Sequence, residues 1–390
     1  MKREPVAGVQ PEVLSWARET VGLSIDEVAT MLRIPSSEVA DWEAGTGAPT
    51  YTQLEKLAYQ VFKRPLAVFF LPAPPDEKVP QREFRTLPEA DMRSLARDTY
   101  LQIRQAQAFQ LSLREVFDGR NPARDMIWKS LALSLSEPVP LQAGRVRDAL
   151  GIKLVEQTSW RNDELALKQW RRAVEEAGVF VFKSSFKQRE ISGFCLMDDA
   201  FPIIYLNNGT TKTRQIFSLL HELAHLLLNM NGLSKLAPGY IDALPQTERK
   251  IERFCNAIAA EVLIPHAAFD TFVVRLPVDV ESASDEAFAE LASHFGVSRE
   301  AVLRRLLDQG RVGQAFYEHK AGIWSAQQRE ATGGSYYANQ GAYLSDRFAR
   351  EVVGRHYRHQ ITLEQAADFL GIKPKSFAGF EEHVLHGAGA

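Results

Sequence analysis

His221-Glu222-Leu223-Ala224-His225 is the stretch of this chain whose residue types and spacing could do chemistry. On a helix, positions i and i+4 share a face about one turn apart, so both imidazoles can grip one Zn²⁺. Glu222 projects beside them as a general base for activating water. Flanking Phe217, Leu219, Leu220, Leu223, Leu226 and Leu227 would bury such a helix. A buried His pair with a carboxylate costs stability unless something compensates it, a metal or, in the plainer alternative, other protein groups. Catalytic zinc commonly takes three protein ligands and keeps one position open. A third histidine at the HExxHxxGxxH spacing is absent, because Leu228 and Asn231 stand where Gly and His would be. The third ligand must come from farther away, and the helical pattern Gln246–Leu263 offers Glu248, Glu252 and Glu261. Glu252 lies one turn before Asn256, and Ala259 and Ala260 would permit close approach of the two helices. Spacing alone leaves that choice open. His266 and Tyr240 are candidates for stabilising a transition state, or else side chains with no part in the reaction.

The elements that must position these residues follow from periodicity. β-rich runs at Val179–Phe182, Gly193–Met197 and Pro202–Leu206 precede a helix over Lys212–Asn229, with Asp198-Asp199 as a hairpin turn. Asp163–Ala177 is an amphipathic helix stopped by Gly178. Before it, 76–160 reads as a helical connector. Met92–Leu113 is one of its helices, and Arg93, Arg97 and Arg104 read as a solvated face. Residues 1–72 read as five short helices: Ser24 caps Ile25–Leu32 with Glu27 as its capping-box partner, Ser36 or Ser37 caps the next helix, and Thr50–Phe62 follows. A tight turn between the second and third marks a helix-turn-helix. Its spacing recurs without gaps: Glu27, Leu32, Ile34 and Val39 align on Glu290, Phe295, Val297 and Val302, and on Gln365, Leu370, Ile372 and Phe377. The later copies carry Gly296 and Gly371 at the turn, where a positive φ is convenient. The expected fold class is α+β, mostly helical, with a zinc-peptidase core over 161–312 and a helical region over 313–390.

Phe217 to His225 with the following Leu run, then Glu252-Arg-Phe-Cys-Asn256-Ala-Ile-Ala-Ala-Glu-Val-Leu-Ile-Pro265, resembles the ImmA/IrrE family of zinc metallopeptidases. Cys255 and Ile258 replace a usual Ala and Phe at apolar positions. The resemblance covers roughly residues 160–310. It implies His221, His225 and Glu252 as zinc ligands, Glu222 as catalytic base and Zn²⁺ as cofactor. Residues 11–71 resemble the XRE (phage-repressor-type) helix-turn-helix, which a subgroup of the family carries ahead of the peptidase. Family members cleave transcriptional repressors, and fused members are often encoded beside toxins. The partner implied is therefore a repressor or antitoxin substrate, or a cognate toxin.

Composition narrows the remaining choices. The 390 residues are 45% hydrophobic and 24% charged, which excludes wholesale disorder. Lys+Arg 46 against Asp+Glu 49 leaves a net charge of −3, so DNA contact would need a local patch. Cys195 and Cys255 form no CxxC pair, which suits a reducing compartment and buried, inert thiols. With no apolar leader or membrane-length run, a cytoplasmic protein making no membrane contact is expected. The expected recognition helix, Ser36–Ala44, carries Glu38, Asp41 and Glu43 and no basic residue. Trp42-Glu43 resembles the scaffold pair of the XRE fold. Arg33, Ser36, Ser37, Thr46 and Thr50 are the candidates for phosphate contact, and protein docking or dimerisation competes with DNA binding. The function expected is site-specific zinc-dependent cleavage of a regulatory protein in a transcription or stress response. The rival is a non-proteolytic DNA-binding regulator or antitoxin that keeps the fold as a scaffold. Gly333-Gly334 with Ser335–Tyr337 reads as a linker or a lid.

Overall fold

The computed structural model describes residues 4–77, 95–235, 240–274, 276–277, 279–327 and 343–386. Two units divide the chain: Met1–Gln107 with Phe186–Gln188, and Ala108–Ser185 with Arg189–Ala390. The glycine pair at 333–334 and its neighbours lie outside the described residues, as does Arg93.

In the first unit the capping chemistry of the sequence sets the helix starts. Helices α1 (Pro11–Glu19), α2 (Ile25–Leu32), α3 (Ser36–Ala44) and α4 (Tyr51–Lys56) surround Val13, Leu14, Val28, Leu32, Val39 and Trp42. Ser24 and Glu27 exchange the two capping-box bonds at 3.2 and 2.7 Å. Arg33 turns the chain from α2 into α3 at φ 58°, a left-handed conformation that most side chains avoid. Two expectations change here. Pro35, not a serine, stands at the cap position of α3, and Ser36 Oγ donates instead to Asp26 at 2.5 Å. Thr50–Phe62 is not one α-helix: after α4 the chain widens into a π-helical segment, Leu57–Phe62, and then forms the 3₁₀ turn Leu66–Phe70.

That widening explains the arginines of helix α5 (Arg97–Val116), whose described start is five residues later than the sequence pattern suggests. Carbonyls at a helix end have no intrahelical donors. Arg97 donates to Gln60 O and Val61 O at 2.7 and 2.6 Å, and Arg104 to Phe62 O and Lys63 O at 3.0 and 2.6 Å. They are therefore cap donors rather than a solvated face, and burial pushes the Arg104 guanidinium down to about 10.

The second unit is built on a four-stranded sheet in the order β1-β3-β2-β4: β1 (Phe180–Ser184), β2 (Ile191–Leu196), β3 (Ile203–Asn207) and β4 (Gly232–Lys235). β1 runs parallel to β3; β2 is antiparallel to both β3 and β4. The three expected strands and the hairpin between β2 and β3 are present, and β4 is an addition. Helices α6 (Val139–Leu150) and α7 (Asp163–Glu176) lead into the sheet, and Gly178, at φ 94°, ends the α7 segment. Helix α8 (Lys212–Leu227) follows β3 and packs on β2 and β3, with α9 (Gln246–Leu263) and α7 against its flanks. From Ser218 to Leu227 every residue of α8 is buried.

After α10 (His266–Val273), helices α11 (Asp285–Phe295) and α12 (Arg299–Asp308) form the second turn motif, with Gly296 at φ 63°. Its arginines are engaged by partners. Arg299 meets Asp285 and the Trp324 ring, Arg304 meets Asp308, and Arg305 donates to Glu261 and Ile264 O. This copy is packing scaffold, covered by α13 (Gln314–Gln327). The third copy comprises α14 (Asp346–Tyr357), α15 (Leu363–Leu370) and α16 (Phe377–His386), with Gly371 at φ 64°. The fold is thus α+β and mostly helical, and no described helix is long and apolar enough to cross a membrane.

Within β1, burial and the charge of Arg171 push the Lys183 ammonium down to about 6, from an ordinary value of 10.5. Between those values the unfolded chain binds a proton that the folded chain does not, so stability rises with pH across this window. Replacing Lys183 by Met removes the penalty. Urea midpoints should rise most near pH 6, by an amount equivalent to about 1–3 kcal/mol, with the gain shrinking toward pH 10. An equal effect at all pH values would show that Lys183 keeps its charge in the fold.

Candidate metal centre

One face of α8 and one of α9 bring His221, His225 and Glu252 together, all buried. His221 Nε2 and His225 Nε2 lie 3.1 Å apart, and Glu252 places Oε2 at 3.3 Å from the first and Oε1 at 3.2 Å from the second. Four-coordinate zinc with bonds of 2.0–2.1 Å has ligand–ligand edges of about 3.3 Å. Two imidazole nitrogens at 3.1 Å repel unless a proton or a metal cation lies between them, and with Glu252 beside them the donor set suits a divalent metal. Two further buried atoms, Glu222 Oε2 and His225 Nδ1, have no hydrogen-bond partner. Of the three carboxylates on α9, Glu252 is the one that reaches the pair. Glu261 lies nine residues on, about 13.5 Å along the helix, and binds His266 and Arg305 instead.

The electrostatics also favour positive charge. Burial alone would raise the Glu252 carboxyl, but His225 and His221 reverse that and hold it well below the carboxylate range. For His225, burial opposes a charged ring, yet Cys255 and Glu252 outweigh it and raise the imidazole well above its ordinary value. Burial pushes both cysteine thiols upward.

Two supporting contacts were not singled out from sequence. Asn256 Oδ1 accepts from His221 Nδ1 at 2.9 Å, which turns the unprotonated Nε2 toward Glu252. Its one-turn spacing from Glu252 was the available signal. On the other side, Ser234 Oγ donates to Glu222 Oε1, leaving Oε2 free. Strand β4 can come this close because it begins with Gly232, where a Cβ would lie 2.5 Å from the His225 ring and 2.8 Å from Glu222 Oε2. Cys195 Sγ accepts from Gly232 N at 3.1 Å and so helps to seat that strand.

His266, half-exposed, donates to Glu261 at the far end of α9. Tyr240 starts the short helix Tyr240–Ala243, with the Lys235 ammonium 5.1 Å from its ring centroid. In the helix-turn-helix, Arg33 and Ser37 are exposed. Ser36 binds Asp26, Thr46 Oγ1 donates to Asp41 O at 3.2 Å, and Thr50 is engaged by Gln53 at the cap of α4. Glu43 pairs with Arg18 at 2.7 Å and Trp42 is core, so both serve the scaffold.

A buried His-His-Glu cluster, with a second glutamate beside it on a helix laid across a small sheet, is the arrangement of a metal-dependent peptidase. Comparison with known proteins narrows it. Residues 174–307 match the family model "IrrE N-terminal-like domain", a peptidase family, and residues 14–58 match "Helix-turn-helix". The radiation response metalloprotease IrrE of Deinococcus radiodurans is 30% identical over 114 residues, 29% of this chain and 33% of that protein. Its counterpart from Deinococcus deserti is 32% identical over 114 residues, 29% of this chain and 38% of that one. The chain therefore carries one segment similar to the IrrE-like metallopeptidases and one similar to helix-turn-helix domains, and its match spans about a third of the length of these relatives.

Replacing Asn256 by Ala should weaken zinc affinity about 10–100-fold while the fold is retained, because His221 loses the partner that fixes its ring. Competition with a chromophoric chelator measures this, and unchanged affinity would remove Asn256 from the site.

Proposed function

We propose that the protein is a zinc-dependent endopeptidase that cleaves a regulatory protein, a repressor or an antitoxin, and so acts in a transcription or stress response. The observation that carries this reading is Glu222: a wholly buried carboxylate, one oxygen held by Ser234 and the other unpaired beside the three ligand atoms. His221, His225 and Glu252 would hold the zinc, which would supply Lewis acidity for a peptide carbonyl and for the attacking water. Glu222 Oε2 takes the proton of the attacking water and delivers it to the leaving amine nitrogen. Ser234 fixes the plane of that carboxylate, whose terminal torsion is otherwise broad. Exclusion of bulk water around α8 strengthens each of these interactions.

The name of the Deinococcus relatives, radiation response metalloprotease, supports a stress-linked peptidase. Selectivity for one substrate is expected of a peptidase that shares a compartment with other folded proteins. The helix-turn-helix is the natural module for bringing the enzyme to its target, through DNA or through a repressor's own domain. α3 itself carries no basic side chain, so DNA phosphates would be met by its flanks, where Arg33 is exposed.

Glu222→Gln keeps size and hydrogen bonding but cannot accept the proton. Zinc content should be unchanged, while cleavage falls by about 10²–10⁴-fold. Labelling of new protein N-termini in cells that produce the wild type or Glu222→Gln should show one or a few cleavages with the wild type alone, in a DNA-binding repressor or antitoxin. Identical patterns would contradict proteolysis and favour a scaffold role for the fold.

A further inference from the structure

Helix α8 carries a second feature on the face that bears the first metal-ligand candidate. Arg214, Phe217 and His221 stand at i, i+3 and i+7, which stacks them along one side of the helix. The Arg214 guanidinium lies 5.6 Å from the Phe217 ring centroid, and that ring is centred 6.3 Å from the His221 ring. Arg214 is only partly exposed and its Nε is fully buried with no hydrogen-bond partner. Charged and titratable neighbours face it from α12 and α13, namely Glu300 and Tyr317, which attract the cation. Neither takes it up: Glu300 Oε1 accepts from Tyr317 Oη at 3.2 Å, and Arg304 covers the Tyr317 ring. A half-buried guanidinium is costly to leave without acceptors, and its planar fork matches a carboxylate.

We propose that Arg214 forms a carboxylate-binding subsite for the peptide substrate, about three residues from the bond that is cut. Seven residues of helix separate Arg214 from His221 by about 10.5 Å. An extended peptide covers that span in about three residues at 3.3 Å each. Phe217 packs one face of the guanidinium and leaves its N–H edge to bind, so the group is oriented before substrate arrives. The positive end of α8, capped by Thr211, adds to the attraction for an anion. The carboxylate is an Asp or Glu side chain or a free C-terminus. The proposal rests on reading the cluster on α8 and α9 as a peptidase centre.

The test uses the full chain stripped of metal and three fluorescent decapeptides of otherwise identical sequence. One has a central Glu and an amidated C-terminus, one has Gln in that place, and one has Gln with a free C-terminus. Anisotropy titration should show the Glu peptide binding about tenfold tighter than its Gln counterpart. Arg214→Gln should abolish the difference, and Arg214→Lys, which keeps the stem and the charge, should preserve part of it. A gain with the free C-terminus in place of Glu identifies the terminal carboxylate as the ligand. Equal binding of all three, no binding of any, or a preference that survives Arg214→Gln overturns the subsite. Because no metal is present, this result stands apart from the Glu222→Gln comparison. A protein that binds the acidic peptide through Arg214 but cleaves nothing would retain the subsite and lose the peptidase.

Discussion

Three electron-pair donors brought to within 3.1–3.3 Å of one another in a buried space set the terms for the second unit. Such a cluster is repulsive unless a proton or a metal cation sits among the donors, and the surrounding core holds it together. The elements that hold it are identifiable. Leu219, Leu220, Leu223 and Leu226 fix α8 against the sheet, and Cys255, Ile258, Ala259 and Val262 bring α9 alongside. The small residues Ala224 and Ala259 belong to the same core and let the two helices approach. Strand β4 closes the remaining side because its first residue has no side chain to strike the His225 ring. Ligand geometry is thus a property of helix packing, and the hydrogen bonds from Asn256 and Ser234 refine it.

The three turn motifs show one local sequence device used for different ends. In each, a left-handed residue joins two helices over a small apolar cluster, whether that residue is Arg33, Gly296 or Gly371. In the second copy the arginines that could have faced nucleic acid are paired with Asp285, Asp308 and Glu261, and Arg305 fastens α12 to the end of α9 away from Glu252. In the first, Arg18 and Glu43 tie α1 to α3. Side-chain partners, not the motif, decide which copy can present a binding face.

Much of this was legible in the sequence where local rules act alone. The capping box at Ser24, the helix Gln246–Leu263 and the three longer strands follow from spacing and caps, and they formed with boundaries within a few residues. Features set by tertiary contact were not legible. Strand β4 has four residues and opens with a glycine, too short to show alternation. The π-helical segment Leu57–Phe62 is capped by Arg97 and Arg104, some forty residues away, which look like surface charges by periodicity. At the site, the His pair and its glutamate could be read from i, i+4 spacing. The choice among Glu248, Glu252 and Glu261 needed the family resemblance, because spacing on α9 alone does not say which turn faces α8. Ser234 could not be anticipated at all, since its strand was not.

Zinc titration by calorimetry on chelator-stripped protein, comparing wild type with Glu252→Ala and His225→Ala, addresses the metal centre most directly. The convergence of three buried donors requires one site per chain in the wild type, with affinity reduced at least about 100-fold in both variants while their circular dichroism stays native. No binding at micromolar zinc, or binding that survives the loss of Glu252, would contradict the ligand set and the hydrolytic chemistry built on it.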